Sequence, residues 1–193
     1  MNKPVILAIC GKSCTGKTAL TKMLVKVLNQ DGMDVSQILS CTTRPMRPGE
    51  VDGVDYKFVD CEEFYELAAN HKLLEHTEFR SWHYGSLKDY LSPGINVGIF
   101  NPQGLKNLSR HRNEYDIYVI LLSENLGTRL RRSREREGRW RLEFFRRAFV
   151  DWLDFRKIHF TLDKFCHIIY LKDVKTIDKK IMVIENRLGV NTK

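Results

Sequence analysis

Short, almost purely apolar runs recur along the chain at 5–9 (VILAI), 96–100 (NVGIF), 117–122 (IYVILL) and 167–171 (HIIYL), with a weaker one at 35–39 (VSQIL). Continuous rather than alternating runs of this length are what strands covered on both faces look like. Between them the period changes. From Thr18 onward Leu20, Met23, Leu24, Val27 and Leu28 fall at i, i+3, i+4, i+7 and i+8, one apolar stripe of a helix. Near the carboxyl end Val174, Ile177, Ile181, Ile184 and Leu188 step by three and four, which predicts a closing helix that stops before Gly189. Strands alternating with helices imply parallel pairing through right-handed crossovers, hence an α/β fold in three layers around a central parallel sheet.

Two stretches interrupt this alternation, and both are too polar for a core. The first, 40–91, opens with the turn-rich TTRPMRPGEVDGVDY and continues into a short helix capped by Asp60, with Glu63 three residues on; it reads as an inserted subdomain. The second, 127–147, combines strong helix formers with Gly138 and reads as a mobile, cationic helical segment. The expected layout is a single domain with a core at 1–39, 92–126 and 148–193, an insert at 40–91 and a cationic segment at 127–147. No internal repeat, low-complexity tract or linker breaks it.

Composition changes the picture little. With 193 residues, 42% hydrophobic and 29% charged, the chain is neither disordered nor collagen-like, and it has room for one good core. No window approaches the roughly 18 apolar residues needed to span a bilayer. The amino end MNKPVILAIC lacks a basic leader and a small-residue cleavage site. Five cysteines (Cys10, Cys14, Cys41, Cys61, Cys166) form an odd set without metal-ligand spacing. A cytoplasmic protein without a membrane partner is expected.

Charge is more informative. A net +8 by itself points to nucleic acid or an anionic membrane surface. Between Arg129 and Arg147, however, nine arginines stand against three glutamates, which accounts for six of the eight charges. The excess therefore belongs to one segment with a local task.

The sharpest motif follows the first apolar run. GKSCTGKT, Gly11 to Thr18, fits GxxxxGK[ST] between a strand and an amphipathic helix, the context this phosphate-binding loop requires. Gly11, Ser13, Cys14, Thr15 and Gly16 would turn backbone amides around phosphate oxygens. Lys17 would reach the terminal phosphates, and the Thr18 hydroxyl could ligate Mg2+. Cys14 occupies a variable position and reads as a small loop residue. The loop implies a nucleoside triphosphate and leaves the second substrate open.

The blocks SCTTRPMRPGEVDGVDYKFV, LLEHTEF and HYGS strongly resemble the nucleoside monophosphate site of guanylate kinases, P-loop nucleoside monophosphate kinases. The resemblance implies phosphorylation of GMP or dGMP by ATP with Mg2+, and it assigns Arg44, Arg47, Tyr56 and Tyr84 to the acceptor phosphate and Ser40, Glu75 and Ser86 to the base. These residue types suit the task. Arginine forks and phenols donate to a dianionic phosphate, and a carboxylate accepts from the adjacent N1 and N2 donors of guanine while a hydroxyl donates to O6. The cationic segment resembles the family's lid, with Arg129 and Arg147 as lid arginines and Arg134 chosen among Arg131, Arg132 and Arg134 for a third. Arginines arriving on closure neutralise the transferring phosphoryl group. Lys17, Arg44, Arg129, Arg134 and Arg147 are thus the catalytic candidates.

The family carries acidic residues where this chain has Ile99 and Asn101, just before Gln103-Gly104. Asn101 can still meet a nucleotide group or a metal-bound water, without the charge. That change leaves open a kinase of another deoxynucleoside monophosphate or of a modified nucleotide. A sugar-phosphate acceptor fits the TTRPxRPGE block less well, and a binding module without catalysis fits an intact phosphate loop less well. An anionic partner, including nucleic acid, stays open for the surplus arginines but is not favoured; monomer and homodimer are equally expected.

Overall fold

A computed structural model of the chain describes residues 3–79, 81–137, 142–172, 174 and 176–189. In chain order the elements are β1 (Val5–Gly11), α1 (Lys17–Gln30), β2 (Val35–Gln37), β3 (Ser40–Thr42), β4 (Lys57–Phe58), α2 (Cys61–Ala69), β5 (Leu73–Phe79) and β6 (Trp82–Leu87). There follow β7 (Ile95–Ile99), α3 (Pro102–Leu108), β8 (Asp116–Ser123), α4 (Leu126–Glu137), α5 (Leu142–Phe155), α6 (Ile158–Leu162), β9 (His167–Lys172) and α7 (Ile177–Leu188). Gly138, expected to interrupt the cationic helix, lies outside the described residues together with Arg139 and Arg141. α5 continues to Phe155, across the lid boundary expected at 147.

Five strands form a parallel sheet in the order β2-β7-β1-β8-β9. Its strands read as continuous apolar runs because alternate residues enter two different layers. Leu7 and Ile9 pack against Leu20, Leu24 and Leu28 of α1 and Ile181 and Ile184 of α7. Ile6, Ala8 and Cys10 pack against Leu105 and Leu108 of α3 and Ile158 and Leu162 of α6. α7 starts at Thr176, whose hydroxyl accepts from the Lys179 amide, and ends at Gly189 with φ 72°, a left-handed cap that glycine adopts without strain.

The polar insert builds a second sheet, β4-β3-β6-β5, over its own small core of Leu39, Cys41, Val59, Phe64, Leu73 and Leu87. β2 stops at Gln37 because the run VSQIL divides: Ile38 packs under the main sheet and Leu39 under the second. Asp60 caps α2 as expected, its carboxylate accepting from the Glu63 amide at 2.8 Å. A register shift between Leu73 and Glu75 sends Leu74 into the main core and sets Glu75 opposite Ser86. Such bulges re-aim side chains. Among the described residues no helix is long and apolar enough to cross a membrane.

Candidate functional site

β1 ends at Gly11, where a Cβ would meet the Leu122 carbonyl oxygen at 2.8 Å and Thr15 Oγ1 at 2.9 Å, so only glycine fits the close approach of β8. The loop then folds on itself: the Thr15 hydroxyl donates to the Lys12 carbonyl at 2.8 Å, and Gly16 turns into α1 with φ 93°. Lys17 Nζ donates to the carbonyls of Gly11 (2.8 Å) and Lys12 (3.1 Å). Burial pushes its ammonium down from the ordinary value, against the opposing pull of the Asp151 carboxylate. The Cys10 thiol beneath it is pushed up to about 12 by burial and stays protonated. Above the loop lies a cavity of about 470 Å³ walled by Ser13, Cys14, Gly16, Lys17 and Thr18, and by Arg132 and Arg147 from the cationic segment.

A neighbouring cavity of about 230 Å³ collects Ser40, Arg44, Arg47, Tyr56, Glu75, Tyr84 and Asn101. Arg44 is nearly buried. Its Nη2 contacts both Glu50 oxygens at 3.0 Å, its Nη1 donates to the Pro45 carbonyl at 2.6 Å, and its guanidinium lies 5.5 Å from the centre of the Tyr56 ring. Burial, then Arg44 and Arg147, push the Arg47 guanidinium down; Arg44 shares the smaller cavity with Arg47, and Arg147 reaches it from the larger one. Burial, and next the Tyr84 phenol, raise the Tyr56 hydroxyl.

At the other end stands Glu75. Its Oε1 accepts from the Ser86 hydroxyl at 2.8 Å, while Oε2 is buried and has no hydrogen-bond partner among the described residues. Burial raises this carboxyl to about 7, against the lowering effect of the Ser86 bond. A buried carboxylate oxygen left unpaired is costly, and the surface beside it is open only because residue 104 is glycine: a Cβ there would lie 3.0 Å from Oε2.

Ser13, Lys17, Arg47, Tyr56, Phe79 and Ile99 border both cavities, which therefore meet. The remaining candidates are distributed around this junction. Thr15 is turned inward, Ser86 lies behind Glu75, and Arg129 is buried against the loop, its Nε donating to the Ser13 carbonyl at 2.8 Å. Arg134 borders neither cavity and points outward. The physical reason is helical phase: Arg129, Arg132 and Ser133 share the inward face of α4 at i, i+3 and i+4, whereas residue 134 is turned about 140° away from 129. The inward arginine is Arg132, whose Nη1 donates to the Thr15 carbonyl at 3.0 Å. Sequence reasoning also missed Thr77, Asp151 and Asp154, which border the smaller cavity.

Ile99 presents an aliphatic wall at the junction. Asn101 caps α3, its Oδ1 accepting from the Gly104 amide at 2.6 Å while Nδ2 donates to Thr77 Oγ1 at 3.3 Å. Among the described residues no group of three or more His, Cys, Asp or Glu side chains could hold a metal ion. The Thr18 hydroxyl on the larger cavity is suited to Mg2+, which keeps most of its shell as water and phosphate oxygens.

The family model for guanylate kinase matches residues 1–97. The chain belongs to the guanylate kinase family. It is 34% identical over 137 residues to the guanylate kinase of Rickettsia felis, covering 67% of this chain and 69% of that one. It is 38% identical over 98 residues to the Coxiella burnetii guanylate kinase, where the match spans 51% of this chain and 46% of the relative, about half its length. The crystal structure of guanylate kinase from Anaplasma phagocytophilum superposes with a TM-score of 0.63 at 20% identity, over 98% of this chain and 86% of that chain, and shows the common fold. The guanylate kinase model ends before β8, so the family match carries the phosphate loop and the second sheet, while Arg129, Arg132 and Arg147 lie beyond it.

Proposed function

We propose that the chain transfers the terminal phosphate of ATP to GMP or dGMP, using Mg2+. The observation that carries this reading is the buried, unpartnered Oε2 of Glu75 at one end of a cavity whose other end reaches Lys17. Guanine offers two adjacent donors to that carboxylate, and the Ser40 hydroxyl on the same wall can donate to O6. Adenine would set its bare N1 against the carboxylate, at a cost of about 1–3 kcal/mol for the opposed groups.

In this mechanism Lys17, with the amides at the start of α1, holds the triphosphate. Arg44, Arg47, Tyr56 and Tyr84 hold the acceptor phosphate. Glu50 keeps Arg44 in one orientation, so its fork need not be ordered on binding. The shared wall of Lys17, Arg47, Tyr56 and Ile99 brings acceptor oxygen and terminal phosphate face to face for in-line transfer. Arg132 and Arg147, in a lid at 127–147, offset the charge that builds on the moving phosphoryl group. The Thr18 hydroxyl would hold Mg2+, which would supply further charge neutralisation when bound. Ile99 excludes water at the point of transfer. A cytoplasmic setting, where both nucleotides are available, is supported by five cysteines that are all free.

Phosphorus NMR of the chain with ATP, Mg2+ and GMP tests the proposal. GDP and ADP should appear together, and in Lys17→Ala both should form at least about 100-fold more slowly. ATP consumption without GDP, or equal turnover in the variant, would overturn it.

A further inference from the structure

The inward face of α5 carries Phe144, Ala148, Asp151 and Phe155, while Phe145, Phe149 and Trp152 face outward. An acid in such a stripe is costly unless it is partnered. Asp151, 9% exposed, is fully engaged. Its Oδ2 accepts from the Ser13 amide at 2.9 Å and from Arg129 Nη2 at 2.6 Å, and its Oδ1 accepts from the Ser13 hydroxyl at 3.0 Å. Arg129, 4% exposed, returns to the Ser13 carbonyl through Nε. One carboxylate thus ties α4 and α5 to the phosphate loop. It borders the smaller cavity and is among the groups that hold the Lys17 ammonium up.

An amide, a hydroxyl and a guanidinium beside an ammonium are the groups a phosphate oxygen uses. Here a carboxylate holds them. We propose that Asp151 is an internal anion that sits on the phosphate loop of the nucleotide-free chain, and that an incoming triphosphate displaces it and takes over Ser13 and Arg129. Two like charges cannot share these donors at hydrogen-bonding distance without strong repulsion, so the exchange weakens triphosphate binding. It also links filling of the loop to movement of α5, because the three bonds that break are the ones tying that helix to the phosphate loop and to Arg129. Glu50 differs: it holds Arg44 from six residues away within a single turn, whereas Asp151 reaches the loop from 138 residues away. The inference rests on the donor half of the proposed function and is independent of the acceptor.

The test is calorimetric titration of inorganic tripolyphosphate, and of ATP, into the wild-type chain and Asp151→Asn, with melting curves for each. The neutral variant should bind tripolyphosphate about tenfold more tightly. Its ligand-free form should melt lower, because Arg129 is left buried without a counter-charge, and saturating tripolyphosphate should raise its Tm by more than in the wild type. Asp151→Ser should change affinity in the same direction, which keeps the test available if the asparagine variant does not fold. A merely structural aspartate would give unchanged or weaker binding, and either result overturns the proposal. Absence of binding in both forms overturns it together with the donor reading. Tightened binding without GMP turnover supports it and removes only the acceptor reading.

Discussion

Glu75→Gln isolates the group on which the proposed base recognition rests. The wild-type carboxylate gives one oxygen to Ser86 and leaves the other buried and unpaired. A glutamine keeps the shape but replaces one acceptor with an NH2 group, so one guanine donor keeps a neutral partner and the other meets a donor. Hydrogen bonds to a charged acceptor contribute about 1.5–3 kcal/mol, so kcat/KM for GMP should fall roughly 10–100-fold at pH 8 while ATP affinity stays the same. The pH dependence follows from the carboxyl's rise from 4.5 to about 7. Below 4.5 it is protonated in folded and unfolded chains alike. Between 4.5 and about 7 the unfolded chain has released the proton and the folded chain keeps it, so ligand-free stability falls by about 3 kcal/mol as pH rises through that window and is level above it. Guanine needs the ionised form, so GMP affinity should climb about tenfold per pH unit up to about 7 and then flatten. Both slopes should vanish in Glu75→Gln. GMP titration calorimetry and urea unfolding from pH 5 to 8 measure them; an unchanged base profile with both slopes intact would refute the reasoning.

Three further substitutions probe the junction and its walls. Lys17→Ala should lower kcat by roughly 10²–10³-fold with the fold retained by circular dichroism, since its ammonium is the cation inside the loop. Arg132→Ala should lower kcat by a similar factor and Arg134→Ala by less than about twofold, because only the first reaches the loop; equal effects in steady-state assays would contradict the helical phase assigned to α4. Gly104→Ala places a methyl group 3.0 Å from Glu75 Oε2 and should raise KM for GMP about tenfold or more with KM for ATP unchanged.

The sheet was readable because β1, β7 and β8 are covered on both faces, which leaves the runs at 5–9, 96–100 and 117–122 as plain signals; the run at 167–171 forms the edge strand β9, where Tyr170 is exposed. The phosphate loop was readable because its chemistry sits in eight consecutive residues between two regular elements. Glu75, Ser40 and the arginines of the turn are named by a resemblance and line one cavity, and the geometry adds what spacing cannot give: which carboxylate oxygen lacks a partner among the described residues. An arginine-rich string alone does not set Arg134 apart from its neighbours; helical phase counted from Arg129 separates Arg132 and Ser133 from it. Asp151 left only a faint trace, an acid in the stripe of Phe144, Ala148 and Phe155. Its partner Ser13 is 138 residues away, and no local pattern encodes such a contact. Thr77 and Asp154 stayed hidden for the same reason, since strand pairing and helix docking bring them to the cavity.

The central claim, one cavity for guanine and its phosphate joined to another for the triphosphate, is tested most directly by ADP formation from ATP and Mg2+ against a panel of ribo- and deoxyribonucleoside monophosphates at fixed moderate salt. Turnover confined to GMP and dGMP is the predicted result. Faster turnover with AMP, CMP or UMP than with either guanine nucleotide would contradict the account.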